Sequence, residues 1–193
     1  AFENLKPESQ YALMVLASMG GEVSIESWNK AYSHFGKLTS DQLQLKYDDI
    51  TWNKTVKILH DCFIRTGRYQ GLIVVTFHNP SVRDFIANYI EKSAYTQRLL
   101  LEGAFYPEQL TSLYDEFLSQ NMPEIFRSNN ISLSDSNLEI LRAKLIEFLS
   151  NNPESCKLSR TGISFIKNSY SKTAFLKSFS DRFPSYFKKI QNQ

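Results

Sequence analysis

Cysteine, histidine, glycine and proline are all sparse in this chain, and each scarcity narrows what it can do. Cys62 and Cys156 are the two cysteines of 193 residues, and they form neither a CxxC pair nor a ligand set with a nearby histidine. Free thiols in a reducing cytoplasm are therefore expected, with no bound metal. The seven glycines include no GxxxxGK[ST] phosphate loop, because Gly36-Lys37-Leu38 lacks both the preceding glycine and the following hydroxyl. No apolar strand ends in paired carboxylates for magnesium, so the chain alone is not expected to hydrolyse nucleotide. No uninterrupted apolar run approaches the roughly 20 residues that span a bilayer, and the N-terminus lacks a basic region followed by an apolar core. A membrane partner is not expected. The opening Ala1-Phe2-Glu3-Asn4 has no initiator methionine, which suggests a piece of something longer.

A large excess of one charge is missing too. The net charge of +2 is too small to announce a nucleic-acid binder. Its distribution is uneven: after Asn151, Lys157, Arg160, Lys167, Lys172, Lys177, Arg182, Lys188 and Lys189 face only Glu154 and Asp181. A solvated helix face explains such a stretch as well as a binding surface does.

What is present is helical periodicity interrupted once by strand signals. A core helix is expected from about Pro7 to Met19, stopped by Gly20-Gly21. Glu22-Val23 reads as extended, and Ser24 as the N-cap of a second helix that carries Ile25, Trp28, Tyr32 and Phe35 and ends at Gly36. Lys37 to Tyr47 reads as polar and irregular. Asp48 or Asp49 should cap a third helix, with Trp52, Val56, Leu59 and Phe63 in one stripe and Asn53, Lys54 and Lys57 facing away. A hairpin is expected next: Phe63-Ile64-Arg65, a turn centred on Gly67 to Gly71, then the β-branched run Leu72 to Phe77.

The strand then runs into a helix through Phe77-His78-Asn79-Pro80. Asn79 is a good N-cap, and Pro80 falls at the first helical position, where its missing N–H costs nothing. Val82, Phe85, Ile86, Tyr89 and Ile90 share one helical face, so His78 stands at a corner held on both sides. Helix, short strand, helix, helix, strand, strand, helix is the order of a winged helix. The fold class expected is mainly α with a small β-hairpin: a winged-helix domain over 1–92 and an irregular α-helical bundle over 93–193. In the second part, helices are expected after Pro107 (Leu110 to Leu118), after Ser134 or Asp135 (Leu138 to Leu149), and around Gly162 to Tyr170 and Lys172 to Phe183.

Leu5-Lys6-Pro7, Leu13 to Ser18, Trp52-Asn53 with Leu59 and Phe63-Ile64, and above all Phe77-His78-Asn79-Pro80-Ser81-Val82-Arg83-Asp84-Phe85 resemble the winged-helix module of STAND-class NTPases. These multidomain signalling ATPases include bacterial members related to antiphage defence proteins. Glu102-Gly103-Ala104-Phe105 with Glu108-Gln109-Leu110 is similar to the helical segment that follows the module in the bacterial branch. The resemblance implies a regulatory fragment, itself without cofactor, of a cytoplasmic protein that binds ADP or ATP with magnesium. Its partners would be the ATPase and sensor domains of the same larger chain, with oligomerisation on activation. It also implies that His78 reaches the ADP phosphates and helps to hold the inactive state.

Two rival readings come from the residues themselves. In a DNA-binding regulator, the third helix would offer Thr51, Asn53, Lys54 and Lys57, and the wing Arg65 and Arg68. Asp48, Asp49 and Asp61 oppose it, and residues 1 to 92 carry ten basic and ten acidic side chains. An enzyme would need Cys62 with His60 or His78, or His34 near Asp41. His60 and Cys62 do not face each other on a helix end, and no third group is expected to orient the base.

Overall fold

The computed structural model describes residues 1–106, 109, 110, 137, 140, 141, 143 and 144. Helix α1, Pro7–Ser18, is buried on nearly every side from Ala12 to Met19, so the remaining elements assemble around it. Gly20 and Gly21, at φ of +92° and +81°, turn the chain out of the helix, and the Gly21 amide donates to the Leu16 carbonyl. A Cβ on Gly21 would stand 2.9 Å from the Phe77 ring, so glycine lets strand β1, Glu22–Ser24, start close beside strand β3, Leu72–Phe77. Strand β2, Ile64–Tyr69, pairs with the other side of β3. The expected hairpin therefore becomes a three-stranded antiparallel sheet in the order β1-β3-β2. Together with five α-helices named among the described residues, this makes the fold mainly α.

The hairpin turn is tighter than expected. Tyr69 pairs with Leu72, leaving Gln70 and Gly71 alone in the bend at φ of +48° and +82°. Positive φ at both central residues is the type I′ geometry whose twist matches the flanking strands, and Gly67 consequently lies inside β2.

Helix α2, Ile25–Leu43, begins where the sequence indicates: the Ser24 hydroxyl accepts from the Ser27 amide at 3.1 Å. It does not end at Gly36. The Tyr47 ring lies against that glycine, and a Cβ there would fall inside the ring. Gly36 is thus a packing notch rather than a stop, and the helix continues through most of the stretch expected to be irregular. Trp28 donates from its indole nitrogen to the Ala12 carbonyl at 2.9 Å, and Tyr32 from its hydroxyl to the Glu8 carbonyl at 3.1 Å, locking α2 onto α1.

Helix α3, Asp49–Leu59, is capped by Asp48, whose carboxylate accepts from the Thr51 amide at 2.7 Å. The amide and hydroxyl of Thr51 hold that carboxyl below its ordinary pKa. Trp52 meets Trp28 edge-on, with ring centroids 4.7 Å apart. Phe63, expected on the same stripe, lies beyond the helix end and packs on the core from the turn.

Helices α4, Pro80–Glu91, and α5, Ala94–Glu102, meet at the Lys92-Ser93 corner, where Ser93 caps α5. Ile86, Ile90, Leu99, Leu100 and Leu101 are buried in the same cluster as α1, so residues on both sides of position 92 share one core. Two buried amides extend it. Gln109 accepts from the Phe105 and Tyr106 amides and donates to the Ser18 hydroxyl at 3.0 Å; Asn137 donates to the Ala94 carbonyl and to the Gln97 side chain. Apart from these few positions, the expected helices after Pro107, Cys156 and the basic stretch after Asn151 lie outside the described residues. Among the described residues, no helix is long and apolar enough to cross a membrane.

Candidate functional site

His78 stands one residue past the end of β3 and two before α4, and both neighbours are fixed. Its own amide donates to the Phe63 carbonyl at 2.8 Å, which continues the β2–β3 ladder by one step. The Asn79 side chain accepts from the Val82 amide at 3.0 Å, the cap that the sequence indicates. Pro80 brings no N–H, so the Ser81 amide is left at the open end of α4. The His78 side chain is exposed on this rigid corner, beside a helix end whose partial positive charge favours an anion.

The residues that a DNA-binding reading singles out are only partly brought together. Asn53, Lys54 and Lys57 are exposed on α3, and Asn53 and Lys57 line a groove of about 430 Å³ with Ile25, Trp52, Val56, His60 and Asp61. Arg65 and Arg68 are both exposed on β2, but three residues apart in a strand they project to opposite faces. Arg68 shares the face of Thr66 and of buried Ile64; Arg65 does not. Arg68 and His78 sit toward opposite ends of the hairpin, roughly 17 Å apart at about 3.3 Å per residue. They cannot serve one small ligand.

His60 is held by two side-chain partners. This residue ends α3, and its Nδ1 lies 2.9 Å from an Asp61 carboxylate oxygen while its Nε2 lies 3.1 Å from the Thr66 hydroxyl. A neutral ring satisfies both by donating from Nδ1 and accepting at Nε2. The expectation that nothing orients a base here is thus corrected. Asp61 orients His60, helped by a left-handed backbone at φ of +64° that brings its carboxylate beside the ring. Both ring nitrogens are engaged, so the histidine fastens the end of α3 to β2. A His-Asp pair at a helix end, followed within a few residues by a hydroxyl on an edge strand, is the signal that could have found it. Cys62 is exposed and free in the adjoining turn.

Among the described residues, no three or more His, Cys, Asp or Glu side chains are grouped to hold a metal ion. Comparison of the chain with models of protein families, with curated proteins and with solved structures finds no match.

Proposed function

We propose that residues 1–92 are a winged-helix regulatory module of a STAND-type signalling NTPase, acting on an ATPase domain elsewhere in a larger polypeptide. The observation that carries this proposal is the exposed His78 at the rigid β3–α4 corner, next to the open N-terminus of α4. An exposed imidazole two residues before a helix N-terminus is suited in charge and donors to a phosphate oxygen. The order helix, strand, helix, helix, strand, strand, helix, with a small three-stranded sheet, supports this reading. In this role the module binds the ADP-loaded domain and favours the resting state, and the helical part beyond α4 connects it to a sensor or partner. Limited proteolysis of the full-length product tests the proposal: ADP should slow cleavage between its domains, and His78→Ala should remove that protection. Equal protection in both proteins would refute it.

A DNA-binding regulator is the second proposal, favoured by the exposed Asn53, Lys54 and Lys57 on α3. The zero net charge of residues 1 to 92 and the division of Arg65 from Arg68 weigh against it.

A further inference from the structure

Among the described residues, strand β2 is one of the two edges of the sheet, and its backbone can be sorted group by group. The two-residue turn makes Tyr69↔Leu72 the closing hydrogen-bonded pair, so Gly67↔Val74 and Arg65↔Thr76 are hydrogen-bonded pairs as well. The intervening residues Ile64, Thr66 and Arg68 turn their N–H and C=O groups outward. Ile64 confirms the phase, because its carbonyl accepts from the Asp61 amide on the outer side at 2.9 Å. The turn around Asp61 thus covers the edge at Ile64 and stops there. Thr66 and Arg68 present their amides and carbonyls along an edge that no described strand pairs.

The side chains along this edge point to a partner. Arg65 and Arg68 are exposed on opposite faces, and neither is in an ion pair among the described residues. Between them Gly67 leaves open space, since a Cβ there would meet nothing within 4 Å. The Thr66 side chain is held back by His60. A second copy of this chain would bring two more arginines to the same edge, which opposes self-pairing.

We propose that the outer edge of β2 takes up an extended acidic peptide by strand addition. Outward groups of Thr66 and Arg68 supply the backbone pairing, and carboxylates of the peptide lie beside Arg65 and Arg68, one on each face. The peptide residue beside Gly67 is bulky and apolar and covers the open glycine. The partner's signature is therefore acidic, apolar, any, acidic, in an extended segment. This surface is separate from the His78 corner, and the proposal stands or falls independently of the nucleotide role.

The test is fluorescence anisotropy of the full chain with a labelled Thr-Glu-Val-Thr-Glu-Thr peptide. Proline is tolerated on an edge strand where its missing N–H faces outward, so Thr66→Pro should keep the fold and weaken peptide binding at least tenfold. Arg65→Glu with Arg68→Glu should weaken it similarly and create binding to the peptide with lysine in place of glutamate. Should Thr66→Pro fail to fold, N-methylation of the peptide's pairing amides makes the same deletion from the other side. Unchanged binding with the N-methylated peptide overturns the proposal. So does a β2-to-β2 dimer that excludes the peptide, or duplex DNA that displaces it and binds Thr66→Pro as well as the wild-type chain.

Discussion

Gly36→Ala should destabilise this protein, although the same change in an ordinary helix stabilises it. In a solvated helix interior, alanine gains about 0.5–1 kcal/mol over glycine by reducing the entropy lost on folding. Gly36 sits mid-way along α2, and a Cβ there would fall inside the ring of Tyr47. Restoring carbon–carbon contact near 3.5 Å requires the ring to move by roughly 1.5 Å. That ring contacts Tyr32 and Phe35 at centroid distances of 5.2 and 6.4 Å, and these contacts are worth about 0.5–1.5 kcal/mol each. Overpacking of this kind costs about 1–3 kcal/mol. The clash wins, with an expected net loss of about 1–2 kcal/mol. Urea unfolding followed by the fluorescence of the buried Trp28 and Trp52 measures it. In a Tyr47→Ala background the sign should reverse and the alanine should gain about 0.5–1 kcal/mol, because nothing occupies the notch. A stabilising Gly36→Ala in the wild-type chain would show that Tyr47 does not pack there.

Three further outcomes follow from buried or capping groups. Asn79→Ala should cost about 1 kcal/mol in thermal unfolding, because it removes the acceptor of the Val82 amide while Pro80 already holds the helix start. Burial pushes the Tyr47 phenol up to about 12, so the unfolded chain releases this proton first; its contribution is intact below pH 10 and is lost between pH 10 and about 12. Among the described residues, the buried Tyr47 hydroxyl has no hydrogen-bond partner of regular geometry, so Tyr47→Phe should be neutral or stabilising at pH 7 and should flatten that alkaline loss in pH-dependent unfolding. Truncation after Lys92 should abolish cooperative unfolding in calorimetry, since Leu99, Leu100 and Leu101 alone bury about 1.5–3 kcal/mol each against a total stability of about 5–15 kcal/mol.

Where a signal is local, it was legible in the sequence. Ser24, Asp48 and Asn79 all cap the helices they precede, because capping depends on a side chain and an amide three residues on. Gly36 misled because a helix-ending glycine and a glycine admitting a neighbour's ring look alike until Tyr47 is placed in space. The turn was misplaced for a related reason: Gly67 and Gly71 both read as turn residues, and only the register shows that Gly71 bends the chain. Phe85 and Tyr89 lie on the expected face of α4 but remain 48% and 36% exposed, each meeting the buried Phe2 edge-on at centroid distances of 5.7 and 4.9 Å. The corner of His78 was readable from Asn79-Pro80. The fastening of His60 was not, since one of its partners arrives from across the turn.

The regulatory proposal is tested most directly by measuring ADP affinity and the unfolding midpoint together in the full-length product, wild type against His78→Ala. A hydrogen bond to a charged phosphate is worth about 1.5–3 kcal/mol, so the substitution should weaken ADP binding roughly ten- to a hundredfold. The exposed ring contributes little to the fold, so the midpoint without nucleotide should stay where it is. Unchanged affinity with a lowered midpoint would contradict the proposal and make His78 a structural residue.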